Sequence, residues 1–145
     1  MNRPRVVLAD DEPGFVAAST RLLEPEFEIV KTFSDGQQLL EEAPHLEPDV
    51  LVLDISMPIL NGIDAARRLR SAGCSAKVVF LTVHREPEYV EAGFTAGAEG
   101  YVLKSQLVSD LPLALREVLA GRSFVSPSIL RDETDKVSSR RRLGT

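Results

Sequence analysis

Four short apolar runs in this chain of 145 residues each lead into side chains that can do chemistry. The runs and their polar followers are Val6–Leu8 before Asp10, Asp11 and Glu12, Val50–Leu53 before Asp54, Val78–Leu81 before Thr82, and Tyr101–Leu103 before Lys104. Clustered carboxylates repel one another unless a cation lies among them, and oxygen donors suit Mg²⁺. A carboxylate beside such an ion can accept a phosphoryl group, whose oxygens an ammonium and a hydroxyl can bind. The pattern therefore predicts phosphoryl chemistry at Asp54, supported by Lys104 and Thr82.

The apolar runs are the elements that must position these side chains. Runs this short and this rich in Val and Leu are typical of strands buried on both faces, as in a parallel sheet. Ligands of open parallel sheets bind just beyond the carboxyl ends of the strands. We therefore expect the polar followers of the four runs to meet in one crevice.

Strand-like and helix-like segments alternate along the chain, which predicts a doubly wound α/β domain. Strands are expected at about 5–9, 27–32, 49–53, 77–81 and 100–103, and helices at about 13–24, from 35 to a point before Pro44, from Gly62 to 71, at 87–97, and before Gly121. The last helix has the cleanest period, with Leu111, Ala114, Leu115, Val118 and Leu119 on one stripe.

Composition excludes several classes of protein. The net charge of −5 and pI of about 5.1 argue against nonspecific binding to nucleic acid or anionic membranes. The one cysteine, Cys74, excludes an intrachain disulfide. Because the sequence shows no signal peptide and no apolar stretch of membrane-spanning length, we expect a cytoplasmic protein without a membrane partner.

Over about residues 4–122, the chain resembles the response-regulator receiver domains of two-component signalling. Four motifs carry the resemblance, at 6–13, 49–62, 78–82 and 100–104. Each motif is weak alone, but all four occur in order and each lies at a strand end. The resemblance implies a flavodoxin-like α/β fold: a doubly wound five-stranded parallel sheet, in the order 2-1-3-4-5, flanked by five helices.

The resemblance also implies a role for each residue of the crevice. Asp54 would be the phosphoacceptor, and a histidine kinase would be the partner that supplies the phosphoryl group. Mg²⁺, or Mn²⁺ in its place, would be bound by Asp11 directly, by Asp10 more through water, by Asp54 and by the main-chain carbonyl of Ser56. Lys104 would pair with the phosphoryl group.

Thr82 and Tyr101 would form the switch pair. In the family, the hydroxyl moves toward the phosphate and the aromatic ring turns inward, which reshapes the face made by helix 4, strand 5 and helix 5. A homodimer formed on phosphorylation would use this face or that of helices 1 and 5. Plain core packing is the alternative for Tyr101.

Ser105 after Lys104 and the segment 121–127 resemble the NarL/LuxR-type branch, whose members continue into a helix-turn-helix DNA-binding domain. We expect a receiver at 1–122 and a linker or tail at 123–145. Residues up to 130 carry apolar side chains that can dock, whereas a mobile tail is expected from Arg131, with solvated arginines at 140–142. DNA contact would come only through a domain absent from this chain, so we favour a receiver excised from a longer regulator over a stand-alone receiver.

Four further residues are candidate modulators of the site: Glu12, Met57, Val83 and His84. Val83 is bulkier than the residue often found in the family, and we expect it to slow hydrolysis of the acyl phosphate. For His84, a loop histidine without function is the favoured alternative, and Met57 is most simply a shape element.

Other functions remain as alternatives. A haloacid-dehalogenase-type phosphate hydrolase needs a second Asp two residues after its nucleophile, where this chain has Ser56. A nucleotide-binding domain ranks last, because no glycine-rich phosphate loop follows the first strand. A receiver that signals by protein contact without phosphorylation is disfavoured by the complete set of Asp, Thr and Lys. The sequence therefore predicts a signalling module rather than an enzyme.

Overall fold

A computed structural model describes residues 3–130, in which strands and helices alternate. The elements are β1 (Arg5–Ala9), α1 (Pro13–Leu23), β2 (Glu28–Phe33), α2 (Gly36–Leu46), β3 (Val50–Leu53), α3 (Gly62–Ser71), β4 (Lys77–Thr82), α4 (Pro87–Thr95), β5 (Gly100–Leu103), a 3₁₀ turn (Lys104–Gln106), α5 (Leu107–Leu119) and β6 (Phe124–Val125). Residues 127–130 form a further helical turn. The tail expected from Arg131, including the arginines at 140–142, lies outside the described residues.

The sheet is parallel throughout and has the order β2-β1-β3-β4-β5-β6. The α/β class and the order of the first five strands are confirmed. The expectation of five strands was wrong by one, because β6 pairs with the outer edge of β5. A two-residue strand is too short to show a periodic pattern, so no pattern in the sequence predicts it.

The strands form the centre of two apolar cores, as expected for strands buried on both faces. Val7, Leu51 and Phe80 pack on one side with α2 and α3, whereas Val6 and Val50 pack on the other with α1 and α5. Alternate residues of a strand point to opposite faces, so an unbroken apolar run fills both cores. These cores fix the strand ends on which the polar residues lie.

α2 continues two residues past Pro44, although we expected it to end before this proline. A proline removes one main-chain donor, and near the end of a helix this costs only one hydrogen bond. The guanidinium of Arg5 donates to the Leu46 carbonyl at 2.8 Å, which satisfies an acceptor at the end of α2. Because Arg5 belongs to β1, no local sequence pattern around Pro44 predicts this contact.

α5 buries most of the stripe that its sequence predicts. Leu111, Ala114, Leu115 and Val118 are fully buried, but Leu119 is 36% exposed. Leu119 is the last residue of the helix. The period thus predicted the buried face but not the point where that face ends.

Among the described residues, no helix combines the length and apolar character needed to cross a membrane.

Candidate functional site

The ends of β1 and β3 hold two carboxylates side by side. The Asp54 amide donates to the Ala9 carbonyl at 2.9 Å, and the Asp10 amide donates to the Phe33 carbonyl at 2.9 Å. Each acid is therefore tied by its own backbone to the neighbouring strand. Both side chains are buried, with residue exposures of 4% for Asp54 and 7% for Asp10.

Lys104, at the end of β5, joins these carboxylates. Its Nζ donates to Asp54 Oδ2 at 3.0 Å and to Glu12 Oε1 at 3.2 Å, and lies 2.9 Å from Asp10 Oδ2. The ammonium also lies 4.3 Å from the centre of the Phe15 ring, a cation–π contact. Phe15 lies on α1 and packs against one apolar core, and no sequence motif marks its contact with Lys104.

Burial and charge act against each other in this cluster. Burial raises the pKa of Asp10 above its usual value, although hydrogen bonds from Lys104 and the Glu12 amide act to lower it. Burial alone would lower the pKa of Lys104, but its hydrogen bonds to Asp10 and Asp54 outweigh this and raise it. The ammonium is therefore firmly protonated, and the two buried acids depend on it for compensating charge.

The acids also meet the chemical requirements of a divalent cation. Asp10, Asp11, Glu12 and Asp54 can each offer one carboxylate oxygen, and these atoms lie within 4.8 Å of one another. All are hard oxygen donors, and two of the four side chains are exposed, so an ion could keep several of its waters. The donor set fits Mg²⁺. The Ser56 amide lies 3.4 Å from Asp54 Oδ1, and the role of the Ser56 carbonyl as a ligand stays a prediction.

The two switch candidates both contact His84. Thr82 is fully buried, and its Oγ1 accepts a hydrogen bond from the His84 amide at 3.3 Å. Tyr101 is also fully buried, and its hydroxyl donates to the His84 carbonyl at 2.7 Å. The ring of Tyr101 therefore points inward here, and burial raises the pKa of its phenol.

The His84 side chain has contacts of its own. Its Nε2 lies 2.7 Å from Ser56 Oγ, and its ring stacks on Tyr89 with 4.1 Å between ring centres. This loop histidine therefore connects the loop after β3 with α4. The favoured alternative, a loop histidine without function, did not predict these contacts. No pattern in the sequence marks Tyr89 as its partner.

Comparison with known proteins identifies the family. Residues 6–116 match the model of the response regulator receiver domain. This chain belongs to that family. It is 35% identical over 135 residues to YvfU of Bacillus subtilis (strain 168), described as an uncharacterized transcriptional regulatory protein, with 89% of this chain and 68% of YvfU covered. It is 32% identical over 126 residues to the nitrate/nitrite response regulator NarL of Escherichia coli (strain K12), with 86% of this chain and 58% of NarL covered.

A solved structure shows the same branch. The crystal structure of a LuxR-family two-component response regulator from Aurantimonas sp. SI85-9A1 has a TM-score of 0.87 and 30% identity, with 94% of this chain and 99% of that chain covered. The predicted receiver of NarL/LuxR type is thus confirmed. These relatives are response regulators rather than metabolic enzymes. This receiver spans between about half and two thirds of the length of the first curated relatives it matches.

Of the four candidate modulators of this receiver, only Glu12 contacts Lys104 directly. Met57 is buried in the core beside α2 and α3, in line with a shape element. Val83 is 62% exposed, so its side chain stands in solvent beside the end of β4. Its expected effect on acyl phosphate hydrolysis stays a prediction.

Proposed function

We propose that Asp54 of this receiver accepts a phosphoryl group from the phosphohistidine of a histidine kinase. The observation that carries the proposal is the placement of Asp54, with Oδ2 3.0 Å from the buried Lys104 ammonium among acids that fit a divalent cation. A buried carboxylate beside a fixed ammonium and a candidate cation site suits phosphoryl transfer, because positioning and charge compensation do most of the catalytic work there.

In the transfer step, a carboxylate oxygen of Asp54 attacks phosphorus and the O–P bond forms. The N–P bond of the phosphohistidine breaks, and its electron pair stays on the imidazole nitrogen. Lys104 exchanges its bond to the Asp54 carboxylate for one to a phosphoryl oxygen. The contact with Asp10 keeps the Lys104 ammonium beside the reacting group. When bound by Asp10, Asp11, Asp54 and the Ser56 carbonyl, Mg²⁺ or Mn²⁺ supplies charge compensation for the phosphoryl oxygens.

The switch follows from the contacts of one loop residue. Among residues 3–130, Thr82 Oγ1 is used as an acceptor from the His84 amide, which leaves its hydroxyl hydrogen for a phosphoryl oxygen. The same His84 offers its carbonyl to Tyr101. A shift of Thr82 toward the phosphate is thereby coupled to the inward position of Tyr101, and phosphate contacts favour one of two existing arrangements.

The output we propose is control of transcription. A change at Tyr101 alters the surface of α4, β5 and α5, which favours formation of a homodimer. DNA contact then comes through a C-terminal DNA-binding domain, in line with the description of YvfU as a transcriptional regulatory protein.

Intact mass after incubation with acetyl phosphate tests the proposal. With Mg²⁺, we expect a gain of about 80 Da, the mass of one phosphoryl group, and no gain with EDTA. Asp54→Asn abolishes the gain. Asp49→Asn, the same change just before the opposite end of β3, keeps it. A gain that survives Asp54→Asn would reject Asp54 as the acceptor, and no gain in the wild type would reject phosphorylation itself.

A further inference from the structure

A serine beyond α5 holds the strand that carries Tyr101 and precedes Lys104. The Ser126 amide donates to the Tyr101 carbonyl at 3.0 Å, and the Ser126 hydroxyl accepts from the Leu103 amide at 3.0 Å. These two groups belong to the peptide bonds on either side of Val102. Ser126 is fully buried, so water cannot replace either hydrogen bond.

The hydroxyl of Ser126 takes a position that a backbone carbonyl would otherwise fill. β6 pairs with β5 only through Phe124 and Val125, after which the chain turns into the helical residues 127–130. The Ser126 carbonyl accepts from the Ile129 amide and so belongs to that turn. The last bond along β5 therefore depends on one side chain, and alanine would leave the Leu103 amide buried without this acceptor.

Apolar packing adds a second anchor. Ile129 is 2% exposed and lies in the same core cluster as Tyr101 and Leu103. Residues 124–130, which we name the docking segment, thus contact β5 through its edge and through its inner face. Lys104 follows directly after the bonded Leu103, so the docking segment holds the backbone of the switch strand up to the residue before this lysine.

We propose that Ser126 is a positioning residue for Lys104 and Tyr101, and that docking of residues 124–130 is coupled in both directions to phosphorylation of Asp54. The inference rests on the proposed function. Through the docking segment, β5 is connected with the chain that follows the receiver. This connection is separate from the surface of α4, β5 and α5. Coupling of two events is reciprocal, so a segment that positions Lys104 must itself be stabilised by phosphorylation.

The observed arrangement sets the direction that we expect for the coupling. Tyr101 points inward, and the docking segment is in place in that same arrangement. Phosphorylation that favours the inward ring therefore favours the docked segment. Loss of the Ser126 hydroxyl weakens both.

Amide hydrogen exchange in the wild-type chain tests the first half of the coupling. Beryllofluoride with Mg²⁺ serves as the phosphoryl mimic, and exchange is followed by NMR at Leu103, Ser126 and Ile129. We expect exchange at these amides to slow at least about fivefold, the lower end of usual coupling strengths. Unchanged exchange at these amides, in protein that acetyl phosphate does phosphorylate, overturns the proposal. If acetyl phosphate adds no mass, the proposed function fails instead.

A pair of serine variants tests the second half. Ser126→Ala is expected to slow phosphorylation by acetyl phosphate at least about fivefold, because a displaced Lys104 is less well positioned for the transfer. Ser128→Ala is the matched control, because the described residues give the buried Ser128 hydroxyl no hydrogen-bond partner. Its phosphorylation rate is expected to equal that of the wild type. Equal rates in both variants overturn the positioning role, as does a loss of stability in Ser126→Ala with wild-type phosphorylation.

If Ser126→Ala fails to fold, Ile129→Val loosens the docking segment while leaving the Ser126 hydroxyl in place. We expect its phosphorylation to slow about twofold, with faster exchange at Ser126. A rate equal to that of the wild type, together with faster exchange at Ser126, counts against the coupling.

Discussion

The hydroxyl of Tyr101 donates a 2.7 Å hydrogen bond to the main-chain carbonyl of His84. This bond joins β5 to the loop after β4, whose His84 amide in turn donates to Thr82. The two residues proposed as a switch are thus connected through the backbone of a single residue. A displacement of either one strains the same short loop.

Tyr101→Phe removes this bond while keeping the buried ring. We expect a loss of about 1 kcal/mol in the free energy of unfolding at pH 7, measured in urea, because the His84 carbonyl loses its partner. Burial raises the pKa of the Tyr101 phenol, so the stability linked to its neutral form is complete below the unfolded-state pKa of about 10 and is lost as pH rises toward the folded-state pKa.

The difference in stability between wild type and Tyr101→Phe should therefore shrink from pH 7 to pH 11. Tyr89→Phe changes an exposed tyrosine of α4 and serves as the control for general effects of alkaline pH. A constant difference across this range would show that the Tyr101 phenol titrates alike in the folded and unfolded chain.

Lys104→Met is expected to strengthen Mg²⁺ binding and weaken phosphorylation. The Lys104 ammonium lies within 3.0 Å of oxygens of both Asp10 and Asp54, and so competes with a cation for them. Its removal should lower the Kd for Mg²⁺ about tenfold, which corresponds to about 1.4 kcal/mol of binding free energy. Thermal shift against Mg²⁺ concentration measures this change. Lys31→Met removes an exposed lysine that pairs with Glu42 rather than with the acids of the site, and should leave the Kd as it is. Weaker Mg²⁺ binding in Lys104→Met would contradict the competition.

Asp11→Asn tests the contribution of Asp11 to Mg²⁺ binding separately from its contribution to the stability of the fold. Asp11 is exposed, so the variant should keep the Mg²⁺-free stability of the wild type within about 0.5 kcal/mol. At a Mg²⁺ concentration of 100 Kd, the wild type gains about 2.7 kcal/mol, whereas a tenfold weaker site gains about 1.4 kcal/mol. Glu88→Gln removes an exposed acid of α4 and should keep the full gain. Equal gains in all three proteins would exclude Asp11 as a ligand.

The sequence predicted the part of this molecule that local pattern determines. Apolar runs ending in Asp54, Thr82 and Lys104 predict strand ends, and parallel topology brings such ends to one edge. The meeting of Lys104 with Asp54, 50 residues apart in the chain, follows from topology alone.

The remainder depends on tertiary contacts that no local pattern encodes. α2 passes Pro44 where Arg5 from β1 satisfies its last turn, and beyond β6 the Ser126 hydroxyl supplies an acceptor for the Leu103 amide. The contact of Phe15 with Lys104 likewise joins residues whose patterns are unrelated. Such contacts depend on packing geometry rather than on periodicity or motif spacing.

Gly62, at the start of α3, packs against the backbone that carries the phosphoacceptor candidate. A Cβ at this position would lie 2.0 Å from the Asp54 carbonyl oxygen, and the Gly62 amide donates to the Ile55 carbonyl at 2.8 Å. Neither backbone group can yield without moving the end of β3. Gly62→Ala should therefore lower the free energy of unfolding by about 2–3 kcal/mol, as overpacking does, and slow phosphorylation of Asp54.

Gly14→Ala is the matched control for Gly62→Ala in urea unfolding and in acetyl phosphate labelling. A Cβ on Gly14 meets nothing within 4 Å, and its position in α1 favours alanine by about 0.5–1 kcal/mol. The two substitutions should thus change stability in opposite directions. Equal stability in both variants would show that β3 relaxes freely around Gly62, and Asp54 would then owe its position to Lys104 and the neighbouring strands rather than to this close backbone contact.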